Sequence, residues 1–295
     1  MNPYIISCCS TSDLSKEHYL SRNIRYICFH LKLGDKEYLD DLGESISISD
    51  FYSQLKEGVD SSTSQVNVYE YETYFRSFLD EGLDILHVTL SSGISGTLNS
   101  ANIAADALRE EYPERKIYII DSLCASSGYG LLMDKAADLR DDGMTIDQLA
   151  SWINDNKLKV NHWFFSTDLK HYIKGGRISK TAGLVAKALN ICPLLRMNDT
   201  GHLVPVENIR TKKRVKQEIV KQMLTHAIDG LRYKDKCYIS HSDCIEDAID
   251  LAALIKNTFV NMTEKVLIND VGTVIGSHTG PGTVALFFWG KTRMC

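Results

Sequence analysis

The stretch Leu90-Ser-Ser-Gly-Ile-Ser-Gly-Thr-Leu98 sets the hydroxyls of Ser91, Ser92, Ser95 and Thr97 around two glycines. It follows an apolar run, Asp84 to Leu90, and leads into a helical pattern, Ser100 to Glu111. A strand that ends in small polar residues and opens into a helix turns unpaired backbone N–H groups towards one spot. The positive end of the helix dipole adds to them, and the chemistry of such a spot is anion binding. The hydroxyls alone would be plain helix caps; Gly93 and Gly96 tip the reading, since they remove side chains that would block the backbone. A serine hydrolase needs Gly-x-Ser-x-Gly, and Gly93-Ile-Ser95-Gly-Thr97 has another spacing. Ser95 therefore reads as a binder of an oxyanion, not as a nucleophile.

Other segments offer the same chemistry. Lys174-Gly-Gly-Arg-Ile-Ser179 sets Arg177 beside two glycines at the expected start of a helix. Its planar fork suits a phosphate or a carboxylate, or else it is a solvated turn residue. Arg210, in Asn208-Ile-Arg-Thr-Lys-Lys-Arg214, is a second candidate or the solvated start of a helix. His278-Thr-Gly-Pro-Gly282 puts a histidine in a glycine loop near a buried strand, able to donate one hydrogen bond to an acidic ligand. The run Ser61-Ser-Thr-Ser-Gln65 is a surface loop on its own and matters only if its hydroxyls face Ser95.

Several chemistries lack their signatures. There is no Gly-x-x-x-x-Gly-Lys-Ser/Thr, and Gly128-Tyr-Gly130-Leu-Leu-Met133 lacks the third glycine of a dinucleotide loop. The eight cysteines form no Cys-x-x-Cys pair, and no carboxylates pair at metal-ligand spacing. No cofactor and no metal are expected. Free cysteines such as Cys28, Cys192 and Cys237 in apolar runs fit a reducing cytoplasm. The net charge of −5 argues against a nucleic-acid partner. No apolar run approaches the roughly 20 residues of a membrane span, and the start, Met-Asn-Pro-Tyr-Ile-Ile-Ser, has the pattern of a first strand and not of a signal peptide.

The elements that must position these groups alternate. Tyr4 to Cys8, Arg25 to His30, Asp84 to Leu90 and Lys116 to Ile120 read as strands. Asn67-Val-Tyr-Glu70 has the form of a capping box before Tyr71, Tyr74, Phe75, Phe78 and Leu79 at helical spacing. Helices follow at Ser126 to Leu139 and from Thr145-Ile-Asp-Gln148 to about Asn156. This β-α-β-α rhythm predicts a Rossmann-like parallel-sheet domain over residues 1–158. Beyond it, strands Ile191 to Arg196 and Leu203 to Val206 flank a hairpin turn, Asn198-Asp-Thr-Gly201. Thr211 to Ala227 is a helix, Asp243-Cys-Ile-Glu246 caps another, and strands lie at Lys236 to Ser240, Lys265 to Ile268 and Val284 to Trp289. Residues 159–295 thus form an α+β domain with a mixed sheet, and the whole is α/β.

In this order the motifs resemble the DegV family of bacterial lipid-binding proteins. The resemblance rests on Ser10-Thr-Ser-Asp-Leu14, Thr63-Ser-Gln65, Ser91-Ser-Gly-Ile-Ser-Gly-Thr97, Gly175-Gly-Arg-Ile178, Arg210-Thr-Lys and His278-Thr-Gly-Pro-Gly282. It implies a long-chain fatty acid held in a tunnel between two domains. It also implies presentation of that acid, by a non-catalytic subunit, to the ATP-binding subunit of a fatty acid kinase, which makes an acyl phosphate for phospholipid synthesis. Transient membrane contact is compatible with this. Carried over, the resemblance gives the carboxylate to Thr63, Ser64, Ser95, the amides around Gly96, His278 and Thr279. Arg177 would lie near the carboxyl end, and Arg210 would serve the acyl phosphate or the kinase contact. Val185, Ala186, Leu189 and Ile191 are candidate tunnel lining, where burial gains about 0.8 kcal/mol per CH₂. The chain departs from the family pattern at Cys9, where an aspartate is usual, and at Val66, where a proline is common. The alternatives are a phosphotransferase related to dihydroxyacetone kinase, with Ser95 or His278 acting chemically, and a lipid-sensing regulatory module.

Overall fold

The computed structural model describes residues 3–179 and 191–294. β1 (Tyr4–Cys9), β2 (Ile24–Ile27), β6 (Asp84–Thr89) and β7 (Ile117–Asp121) form a parallel sheet in the order β2-β1-β6-β7. β6 is buried along its whole length, so it reads as a nearly unbroken apolar run and not as an alternating one. The chain leaves β1 for β2 on one side and returns at β6 on the other. The carboxyl ends of β1 and β6 therefore flank a topological switch point, where open α/β sheets bind their ligands. The loops after them carry Ser10–Ser12 and Ser91–Gly96.

The expected caps form at two helices. Asn67 accepts from the Glu70 N–H at 3.0 Å and Glu70 from the Asn67 N–H at 2.8 Å, opening the helix Val68–Asp80. Thr145 and Gln148 do the same for Ile146–Asn156. Asp243 does not cap: its backbone sits at φ +52° and its carboxylate pairs with Lys56, so the helix Ile245–Thr258 starts after Cys244 without a side-chain cap.

Arg25 to His30 is not one strand. β2 ends at Ile27, and β3 (His30–Leu33) joins β4 (Lys36–Leu39) and β5 (Ser61–Ser64) in an antiparallel sheet, order β4-β3-β5. The polar run Ser61–Ser64 is thus an edge strand, not a loop. Thr63 and Ser61 pair with the buried Leu31 and Leu33, which turns Thr63 inward and Ser62 to solvent. A helix unforeseen in the sequence, Ile48–Lys56, packs Phe51, Tyr52 and Leu55 beneath this sheet.

The third sheet is mixed. β8 (Val160–Ser166), β9 (Ile191–Met197), β10 (Leu203–Arg210), β11 (Cys237–His241), β12 (Val266–Asp270) and β13 (Thr283–Trp289) run in the order β10-β9-β8-β13-β11-β12. Only β11 and β12 pair in parallel. The β9–β10 hairpin turns at Asn198–Gly201 as expected, with Gly201 at φ +73°. β8 is fully buried yet was not anticipated, because Asn161 and His162 interrupt its apolar run.

The helix Ser126–Asp141 lies between the parallel and mixed sheets, inside one continuous hydrophobic core. A Cβ on Gly128 would stand 2.5 Å from Phe287 of β13, and one on Gly130 2.7 Å from the Ser12 carbonyl. Both glycines serve this packing and not a nucleotide. Lys174-Gly-Gly-Arg177 follows a short helix, Lys170–Lys174, and does not open one up to Ser179. His278 is not in a loop: it occupies the last turn of the helix Thr273–Thr279, which Gly280 ends at φ +65°.

Candidate functional site

A cavity of about 360 Å³ opens where the loop after β6, the edge strand β5, the helix Thr273–Thr279 and one face of the mixed sheet meet. That is within the range of small-molecule sites, about 300–1,000 Å³. The sheet supplies its wall by register. Ser240, Ala285 and Phe164 form one row across β11, β13 and β8, and Phe287 and His162 pair in the next. Phe29, Leu90, Ile94, Met197, Leu203 and Val274 complete a largely apolar lining.

One end is polar. Thr63, Ser64, Ser95, Gly96, Arg177, His278 and Thr279 all line the cavity. Thr63 Oγ1 and His278 Nε2 are 2.8 Å apart. Burial pushes the His278 imidazole down to about 4, helped by the Arg177 cation and by His171, so the ring is neutral at pH 7. Its Nδ1 is buried without a partner among the described residues, against Gly175, where a Cβ would collide with it. Arg177 donates from Nε to the Ile94 carbonyl at 3.2 Å and from Nη1 to the Gly175 carbonyl at 2.6 Å. Among the described residues its partners are carbonyls, which fix the guanidinium without neutralising it, and burial lowers its pKa. A half-buried cation of this kind favours an anion.

The serine loop divides its labour. Ser91 Oγ donates to the Gly201 carbonyl at 2.9 Å, and Thr97 Oγ1 bonds the Tyr71 hydroxyl at 2.8 Å. Of the four hydroxyls only Ser95 lines the cavity, while its Oγ accepts from the Thr97 N–H at 3.2 Å. Gly93 does not make way for a ligand: the hairpin turn fills its space, with a Cβ there only 2.5 Å from the Gly201 carbonyl oxygen. A Cβ on Gly96 would meet Gln65 Oε1 at 2.8 Å. Gln65, not singled out as a ligand in the sequence, lines the cavity and donates to Ser100 Oγ at 3.0 Å.

Arg210 stands elsewhere, exposed at the end of β10 beside a groove shared with Arg214, Glu218 and Lys221. Ile191 opens β9 and is not among the lining residues, and Val185, Ala186 and Leu189 lie outside the described residues. Ser126, His162, Tyr172 and Ser240 do line the cavity. Nothing in the sequence marked them, since each sits in a pattern of ordinary core packing. Among the described residues no group of three His, Cys, Asp or Glu is placed to hold a metal, and no helix is long and apolar enough to cross a membrane. The arrangement suits an anionic head with an apolar tail.

Comparison with known proteins finds a matching family model and a matching fold. The model of the uncharacterised DegV family matches residues 6–291. A DegV domain-containing protein of Clostridium perfringens is 36% identical over 293 residues, 99% of each chain. Among solved structures, the fatty-acid-binding DegV family protein of Thermus thermophilus superposes with a TM-score of 0.86 at 24% identity, over 99% of this chain and 100% of that one. A stearic-acid-binding protein of Eubacterium ventriosum does so with a TM-score of 0.86 at 24% identity, over 98% and 99%.

Proposed function

The chain belongs to the DegV family, and from that membership and its cavity we propose that it binds a long-chain fatty acid. The observation that carries the reading is an apolar cavity lined at one end by hydroxyls, a neutral histidine and an arginine. In this reading Thr63, Ser64, Ser95, the Gly96 amide, His278 and Thr279 hydrogen-bond the carboxylate, and Arg177 supplies the opposite charge. The acyl chain lies along Phe29, Ile94, Phe164 and Phe287, gaining about 0.8 kcal/mol per buried CH₂. The two units divide at 158/159, since every strand of the mixed sheet comes from Val160 onward. The acid lies between them.

The protein acts as a carrier and not as a catalyst. Ser95 Oγ is engaged by its own helix, and His278, at about 4, is a weak base far from the near-neutral value that general base catalysis favours. The carboxyl group is presented to the ATP-binding subunit of a fatty acid kinase, in the cytoplasm, where the seven free cysteines of the described residues stay reduced. The exposed cluster of Arg210, Lys212, Lys213 and Arg214 lies apart from the cavity and fits the kinase contact.

Mass spectrometry of an organic extract from natively purified protein tests the ligand. A stoichiometric fatty acid supports the reading; an extract without acyl chains, with no uptake of added fatty acid, overturns it. Acyl phosphate formation with added kinase subunit tests the presentation step. Arg210→Ala should lower that rate while leaving lipid loading unchanged, and ATP turnover by the chain alone would overturn the carrier role.

A further inference from the structure

The mixed sheet brings a hydroxyl pair into the apolar part of the cavity. Ser240 Oγ, on β11, and Ser126 Oγ, at the head of the helix Ser126–Asp141, are 2.9 Å apart, and both residues line the cavity. Ser126 Oγ also bonds the carboxyl group of Asp13, itself buried and held by the Gly272 N–H at 3.1 Å. Ser126 occupies a left-handed backbone conformation, φ +52°. Such a conformation is costly for a residue with a side chain and recurs where a group must be aimed.

The other polar groups in this part of the wall are already engaged. His162 accepts from the Ala125 N–H at Nε2 (3.3 Å) and faces the Val160 carbonyl at Nδ1 (3.1 Å). The Tyr172 hydroxyl bonds Thr283 Oγ1 at 3.0 Å, and Thr283 Oγ1 reaches Ser166 Oγ at 3.1 Å. Ser240, like Tyr172, makes one bond and keeps capacity for another, but its bond to Ser126 leads on to a buried carboxyl group. That bond satisfies Ser240 within the protein, and its remaining capacity lets it take a polar group of a ligand.

Its position along the wall says which part of a ligand it meets. Ser242 Oγ bonds Thr279 Oγ1 at 3.2 Å at the polar end. Ser240 lies two residues back along β11, roughly 7 Å away at strand spacing. A chain whose carboxylate lies at the polar end passes Ser240 with its methylenes, not with its head.

We propose that the cavity selects a fatty acid bearing a hydroxyl on its acyl chain, which pairs with Ser240 and through Ser126 with Asp13. This rests on the fatty-acid reading of the same site. A hydroxyl suits the relay in either proton arrangement. Burial raises the Asp13 carboxyl well above its ordinary range; in its neutral form it donates along the chain, and Ser240 donates to the ligand. With Asp13 ionised the bonds reverse, and Ser240 accepts from the ligand. A ketone or an ether, having no donor, fits only the first arrangement.

The test measures displacement of a fluorescent fatty acid from the full chain by stearic acid and by a positional series of monohydroxystearic acids. At least one isomer of the series should bind about five- to tenfold more tightly than stearic acid, as expected for one buried neutral hydrogen bond. Ser240→Ala should abolish that preference, read as the ratio of hydroxylated to stearic acid affinity within the variant. If stearic acid binds and every hydroxylated isomer binds more weakly, the inference is overturned and the fatty-acid reading stands. The same holds if Ser240→Ala keeps the preference. If no fatty acid binds, the underlying reading falls. The wild-type comparison decides the matter even if the variant does not fold.

Discussion

Thr63 Oγ1 and His278 Nε2 lie 2.8 Å apart across 215 positions of chain, one on an edge strand and the other in the last turn of a short helix. Neither position is useful alone: the strand supplies a hydroxyl, and the helix supplies a ring whose protonation is set by burial. Each residue should therefore contribute to holding a carboxylate. Thr63→Val and His278→Ala should each weaken fatty-acid binding by about 1.5–3 kcal/mol, the worth of a hydrogen bond to a charged group. Calorimetric titration with a long-chain fatty acid checks this, and unchanged affinity in both variants would place the head group elsewhere.

The lipid-free protein should lose stability as the solution is acidified, in part through His278. Its folded-state value is about 4, against about 6.5 for an unperturbed histidine. Between those values the unfolded chain binds the proton and the folded chain does not, so stability is complete above about 6.5 and falls as pH drops towards 4. The contribution is at most about 3 kcal/mol. Asp13 and Asp40, with raised values, act in the opposite sense, so the informative quantity is a difference between two proteins. Urea midpoints at pH 7 and pH 5 should fall further apart for the wild type than for His278→Gln.

What the sequence could reveal follows from which interactions are local. The capping boxes at Asn67 and Thr145 involve residues three apart, and both form as written. Strand β6 and its serine loop were legible because burial on both faces leaves a largely apolar run, broken at His87, up to the serines. The strand Ser61–Ser64 was not, since its inward side chains are hydroxyls and only the register with Leu31 and Leu33 turns them inward. Asp243 had the right spacing for a cap, but Lys56 holds it instead. The cavity wall was hidden for a similar reason: Ser240, Ala285 and Phe164 become neighbours only through antiparallel pairing.

Gly93 gives a test of the contact between the serine loop and the hairpin. Its open side is filled by the Gly201 carbonyl, and Ser91 donates to that same carbonyl. Gly93→Ala should push the Asn198–Gly201 turn away from the loop. The turn joins Met197 to Leu203, both in the cavity lining, so the shift reaches the ligand space. Overpacking of this kind costs about 1–3 kcal/mol. A lowered urea midpoint together with weaker acyl binding is expected; a midpoint equal to that of the wild type would mean that the turn gives way freely.

Asp134 should matter more to stability than any exposed ion pair. Its buried carboxylate faces His18 Nε2 at 3.0 Å, Arg22 Nε at 3.0 Å, Lys236 Nζ at 2.5 Å and the Tyr238 hydroxyl at 2.9 Å. Burial alone would raise its pKa, but His18 and Lys236 outweigh that and hold the carboxyl well below the usual range. The group ties the helix Lys16–Ser21 and the central helix to the strand Cys237–His241. Asp134→Ala leaves Asp138 as the carboxylate that Lys236 and Arg22 still share, but strips His18 and Tyr238 of a buried acceptor, which should cost about 1–3 kcal/mol. The pair of Lys16 and Glu44 is the control: both side chains are more than half exposed, so Lys16→Ala should leave the urea midpoint unchanged. Equal midpoints for the two variants would show that the Asp134 cluster is not what fastens the central helix to the mixed sheet.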